Sequence, residues 1–134
     1  MASRSILIVE DEKDVRDVIA EMIAMFGYEV SIHSNGAEAW NDIAANRYDL
    51  IITDLGLPGL DGGELLMTMR RNGIKTPALI ITGVDSDSSG IDLNKITNCS
   101  FIQKPFKIED LKIKINELLK NDSKEFKPGR IDRK

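Results

Sequence analysis

The sequence predicts an α/β fold, a five-stranded parallel sheet with helices on both faces. Three observations carry that reading. Short apolar runs recur along the chain, mostly continuous rather than alternating, as strands buried on both faces require. Between them lie segments with apolar residues three and four positions apart, the spacing of amphipathic helices. Hairpin turn signals are absent, so successive strands connect through helices and run parallel.

Each element follows in order. Ser5–Val9 (S-I-L-I-V) is the first strand, ended by the acidic cluster Glu10, Asp11 and Glu12. In the helix after it, Val15, Val18, Ile19, Met22, Ile23 and Phe26 share a face, and Gly27 is its natural stop. Residues 28–33 read as the second strand, with Val30 and Ile32 facing alike. Ser34, Asn35 and Gly36 turn the chain into a helix over 37–46 that uses Ala39, Trp40 and Ile43. The third strand, 49–54, runs through Leu50, Ile51, Ile52 and Thr53 to Asp54, and a turn rich in Pro58, Gly59, Gly62 and Gly63 follows. Leu65, Leu66 and Met69 mark a third helix, closed by Asn72 and Gly73. Residues 77–82 (P-A-L-I-I-T) are the fourth strand. Residues 83–98 predict a short or irregular helix, because Ser86, Ser88, Ser89, Gly90 and Asn94 are poor helix formers. Cys99–Gln103 is the fifth strand, cut off by Lys104-Pro105. A last helix over 108–120 turns Leu111, Ile115, Leu118 and Leu119 inward and leaves Ile113 off the stripe. Residues 121–134 read as a polar, basic tail or linker after a domain spanning 1–120.

Composition narrows the function. At 134 residues the chain is one domain with room for a real core. A net charge of −4 argues against direct contact with nucleic acid. The single cysteine, Cys99, excludes an internal disulfide, and no Cys/His cluster spells a zinc site. The early apolar run, residues 6–9, is too short for a signal peptide or membrane span, which predicts a cytoplasmic protein without a membrane partner.

Parallel strands deliver their carboxyl ends to one edge, where open α/β sheets build ligand sites. Glu10 and Asp11 arrive there after the first strand, Asp54 after the third, Thr82 after the fourth and Lys104 after the fifth. Crowded carboxylates raise each other's pKa unless a cation joins them. Magnesium suits such a site, since it takes oxygen ligands, keeps several waters and completes its shell with phosphate oxygens; manganese is the alternative ion. A lysine and a hydroxyl facing the acids could hold the other oxygens of a phosphoryl group, with Asp54 as the nucleophile.

Across residues 4–120 the chain resembles a response-regulator receiver domain. The motifs I-L-I-V-E-D-E, D-L-I-I-T-D-L-G-L-P-G-L-D-G, A-L-I-I-T-G and F-I-Q-K-P-F stand in register, each weak alone and very specific together. The resemblance implies a doubly wound, flavodoxin-like sheet in the order 2-1-3-4-5. It implies that Asp54 accepts a phosphoryl group from a phosphohistidine on a sensor histidine kinase or histidine phosphotransfer protein, in a magnesium-dependent step without turnover of an external substrate. Asp11, Asp54 and the backbone carbonyl of Gly56 would ligate the metal, with Glu10 acting through water. Thr82 and Lys104 would contact the phosphoryl group, and Thr82 and Phe101 would act as switch residues. Lys104-Pro105 would be a cis peptide. The face of the fourth helix, fifth strand and last helix would carry the output, homodimerisation included.

This sequence departs from the pattern in places. Glu10 replaces the commoner aspartate and reaches one methylene further. Phe101 lacks the tyrosine hydroxyl often found at its position. Gly56 and Val84 stand where the family tunes phosphoryl lifetime, and neither can orient a water, which predicts slow self-hydrolysis. Other features read more simply. Residues 85–96 mimic the first half of a calcium loop, but Ile96 stands where the bidentate Glu is needed, so a solvated loop is expected. His33 is expected at the surface, Cys99 as a buried small residue, and Glu12, Asp14 and Asp17 as a solvated helix start. A haloacid-type phosphatase would need a second acid where Gly56 stands. A degenerate receiver acting as a phosphorylation-independent interaction module would lack the acid, threonine or lysine that are present here.

Overall fold

The computed structural model describes residues 4–57, 59–83 and 96–125, with side chains described as far as Lys120. Its elements are β1 (Ser5–Val9), α1 (Lys13–Met25), β2 (Glu29–His33), α2 (Gly36–Ala45), β3 (Leu50–Asp54), α3 (Gly62–Arg71), β4 (Ala78–Thr82), β5 (Cys99–Gln103) and α4 (Ile108–Glu125). The strands form one sheet in the order β2-β1-β3-β4-β5, parallel at every pairing. Strand placement matches the apolar runs to within a residue. Helix α4 continues past the expected end at residue 120 to Glu125. The helix expected over 83–98 falls largely on 84–95, outside the described residues, and so do the calcium-loop mimic and Val84.

Two apolar layers sandwich the sheet, and the alternation of side chains along each strand assigns residues to them. Ile6, Ile8, Leu50, Ile52, Leu79 and Ile81 face α1 and α4, meeting Ile19, Ile23, Leu111 and Ile115. Leu7, Val9, Ile51, Ala78 and Ile80 face α2 and α3, meeting Ala39, Ile43, Leu65, Leu66 and Met69. This two-sided burial is why the inner strands read as continuous apolar runs. Edge position explains two differences in exposure. On β2 Ile32 is exposed, while Val30 on the same side packs against the first layer. On α1 Val18 lies at the flank of the expected stripe and is 50% exposed, whereas Ile19 and Ile23 are buried.

Local chemistry sets the helix ends. Gly27, at φ 98, ends the α1 turn in a conformation glycine adopts without penalty. Helix α3 opens with a capping box, in which the Asp61 side chain accepts from the Glu64 N–H at 2.9 Å and Glu64 accepts from the Asp61 N–H at 3.2 Å. Behind that cap Gly62 packs so closely on β3 that a Cβ there would collide with the carbonyl of Asp54. Helix α3 therefore seats directly on the strand end that presents Asp54.

Candidate functional site

The parallel register brings the predicted strand ends together. Val9 pairs with Thr53, Asp54 with Ile81 and Thr82 with Gln103, so Glu10, Asp54, Thr82 and Lys104 follow one another along the carboxyl edge. Carboxylate oxygens of Glu10, Asp11 and Asp54 lie within 4.8 Å of one another. Their exposure is graded: Glu10 is buried, Asp54 retains 14% of its side-chain surface and Asp11 is exposed.

Lys104 is the cation of the cluster. Its Nζ lies 3.4 Å from Asp54 Oδ2, 3.7 Å from Glu10 Oε1 and 3.9 Å from Glu12 Oε1. Its backbone N–H donates to the Thr82 carbonyl at 2.8 Å, which anchors the start of the loop after β5 to β4. Lys104-Pro105 is cis, as expected. Partial burial opposes the Lys104 charge, but Asp54 and then Glu10 favour it, and its pKa is raised overall.

Glu10 is the anomaly. Its N–H donates to the His33 carbonyl at 3.1 Å, and Oε2 accepts the Glu12 N–H at 3.1 Å. Oε1 is buried without a hydrogen-bond partner. Burial pushes the carboxyl up to about 7; the Glu12 N–H opposes the rise, and the neighbouring Asp54 charge adds to it. A buried carboxylate oxygen lacking a donor, beside two further carboxylates, suits a hard divalent cation. Asp54 Oδ1 accepts the Gly56 N–H at 3.1 Å, which holds the acid against the turn it opens. By their chemistry these donors fit magnesium.

Thr82, half-buried, reaches the edge through its register and its carbonyl. Phe101 sits farther back on β5, opposite Ile80, partly buried against the second apolar layer. It lines a cavity of about 420 Å³ with Pro105, Phe106 and Ile113, and Ile113 is exposed as the helix stripe predicted.

Sequence reasoning missed several participants. Glu12, read as a solvated helix start, is exposed but also reaches Lys104. Arg16 Nη1 donates to the Glu10 carbonyl at 3.2 Å, a contact for which the helix pattern held no signal. His33 is not a plain surface residue: its Nε2 lies 2.8 Å from Asp42 Oδ2, which also accepts the Tyr48 hydroxyl at 2.8 Å. The end of β2 is thereby tied to α2, a tertiary pairing that local pattern does not encode. Cys99 is half-buried, its thiol 3.3 Å from the Ile96 carbonyl, and burial pushes its pKa up.

Comparison with known proteins agrees with the fold. A family model described as the response regulator receiver domain matches residues 6–116. The chain is 34% identical over 122 residues to the uncharacterized transcriptional regulatory protein YkoG of Bacillus subtilis, covering 91% of this chain and 54% of that protein. It is 33% identical over 129 residues to the regulatory protein VanRB of Enterococcus faecalis, covering 94% of this chain and 58% of that one. The chain thus spans about half the length of the curated relatives it matches. Among solved structures, the receiver domain of the Francisella response regulator 1452 aligns with a TM-score of 0.79 at 32% identity, covering 89% of this chain and 98% of that one. A CheY-like receiver domain protein from Methanospirillum hungatei aligns with a TM-score of 0.83 at 28% identity, covering 92% and 99%.

Proposed function

The chain belongs to the response regulator receiver domain family, and from that premise we propose that it is a phosphorylation-driven switch with Asp54 as its phosphoacceptor. The donor is a phosphohistidine on a sensor histidine kinase or histidine phosphotransfer protein. A carboxylate oxygen of Asp54 forms the new O–P bond, the P–N bond to the imidazole breaks, and the departing imidazole takes up a proton from solvent. Asp54 becomes an acyl phosphate, and no external substrate is turned over. Asp11, Asp54 and the Gly56 carbonyl would hold magnesium, or manganese, with Glu10 acting through water. The bound ion supplies charge neutralisation at the phosphoryl oxygens.

The observation that supports this reading is the convergence of three carboxylates within 4.8 Å, faced by Lys104 at 3.4 Å from Asp54. Phosphorylation adds nearly two negative charges beside Lys104. Lys104 and the Thr82 hydroxyl engage the phosphoryl oxygens, and Phe101 turns inward as Thr82 moves. The face of β5 and α4 then changes its affinity for partners, a second copy of the chain included. The modification biases an existing two-state equilibrium of one fold. A cytoplasmic location fits this chemistry, and no described helix is long and apolar enough to cross a membrane.

The test uses magnesium with acetyl phosphate or beryllofluoride. The wild type should gain one phosphoryl group, or shift its amide spectrum with beryllofluoride, and Asp54→Asn should do neither. Turnover of a phosphoester would indicate an enzyme instead. A silent wild type would leave a binding module.

A further inference from the structure

Among the described residues, two buried side-chain polar atoms lack a hydrogen-bond partner, Glu10 Oε1 and Arg16 Nε. They belong to residues joined by one hydrogen bond, from Arg16 Nη1 to the Glu10 carbonyl at 3.2 Å. A buried donor left unsatisfied costs on the order of 1–3 kcal/mol, which the guanidinium offsets in part through its Nη1 bond to the Glu10 carbonyl.

Asp11 contributes a carboxylate to the three-acid cluster, yet it is exposed. Among the described residues no side-chain hydrogen bond holds that carboxylate. Its direction is therefore left to the backbone, and both peptide groups that bracket Asp11 are clamped. The Glu10 carbonyl is fixed by Arg16, and the Glu12 N–H by Glu10 Oε2 at 3.1 Å. Arg16 is itself seated, since its own N–H donates to the Glu12 carbonyl at 2.9 Å as α1 begins. Lys104 meets the acids from the β5 side, whereas Arg16 acts from α1 on the main chain behind them.

We propose that Arg16 is a positioning residue for Asp11: its guanidinium holds the Glu10–Asp11 peptide so that Asp11 points into the cluster before any cation arrives. The proposal rests on the reading of the cluster as a magnesium site. It predicts that Arg16 sets how readily the ion is bound and leaves the chemistry at Asp54 unchanged once the ion is in place.

The test compares wild type, Arg16→Ala and Arg16→Lys. Magnesium affinity is read from the concentration dependence of thermal stabilisation, with no phosphodonor present. Losing a residue that orients a metal ligand typically weakens affinity 10- to 100-fold, so Arg16→Ala should raise the half-saturating magnesium about ten-fold. Arg16→Lys, which keeps the charge and a donor, should recover part of that loss. With acetyl phosphate, Arg16→Ala should need more magnesium yet reach the wild-type maximal rate, a split that general loosening of the fold would not produce. Unchanged half-saturation, a lowered maximal rate with unchanged half-saturation, or a lysine variant as weak as alanine would overturn the proposal. Should Arg16→Ala fail to fold, Arg16→Lys against wild type carries the same comparison. A wild type that binds magnesium but takes no phosphoryl group would refute the proposed function while leaving the Arg16 measurement intact.

Discussion

Replacing Glu10 with glutamine should stabilise the metal-free protein, increasingly so as pH rises. Glutamine has the shape of the protonated acid and cannot ionise. The folded carboxyl titrates at about 7 instead of 4.5, chiefly because burial disfavours its charge. A folded-state pKa raised on an acid means that the native state holds a proton the unfolded chain has released. Stability contributed by that proton is lost as pH climbs between those two values. At no more than about 1.4 kcal/mol per pH unit, and less where solvent screens the charge, the wild type should trail Glu10→Gln by on the order of 1–3 kcal/mol near pH 8 and by less near pH 5. For a domain of this size the upper end of that gap is roughly 10 °C in Tm. Urea unfolding in chelator at several pH values measures it, and the difference between the two proteins removes the titrations of groups that do not interact with Glu10. Magnesium should narrow the gap at high pH, because a cation beside Oε1 favours the ionised form. Stability curves that run parallel across this range would refute the assignment of a strained, buried acid at residue 10.

Three further outcomes follow from other features. Gly62→Ala should destabilise the fold by about 1–3 kcal/mol in urea unfolding, because the added methyl meets the Asp54 carbonyl and exceeds any gain in helix propensity. It should also lower phosphoryl acceptance, since Asp54 sits at the displaced strand end; wild-type labelling would mean that α3 yields instead of β3. Asp61→Ala removes the cap accepted from the Glu64 N–H and should cost about 1 kcal/mol, read as a lower urea midpoint with unchanged slope. The isolated phosphoprotein should lose its label slowly in magnesium buffer, because Gly56 carries no side chain to orient a water; rapid loss would contradict this.

How far the site could be read in advance differed from residue to residue. Asp54 was legible because a continuous apolar run ends on it and a glycine-rich turn follows, which places it at the mouth of a buried strand. Lys104 was legible for the same reason, with proline marking the stop. Glu12 and Arg16 were not, since both sit in an ordinary helix start and their roles come from what β5 and β1 bring near. The pairing of His33 was not legible because its partner, Asp42, lies on the next helix, and nothing local distinguishes a paired imidazole from a solvated one.

By itself the sequence determined the element order, the parallel sheet and the identity of the residues at its carboxyl edge. These depend on periodicity and turn chemistry, which are short-range and survive in a linear reading. Only the tertiary structure decided what surrounds those residues: the unpartnered oxygen of Glu10, the bond from Arg16 to the Glu10 carbonyl, the contact of Gly62 with Asp54. Burial and the absence of a partner are properties of everything that surrounds an atom, and those surroundings form only when distant strands and helices pack together.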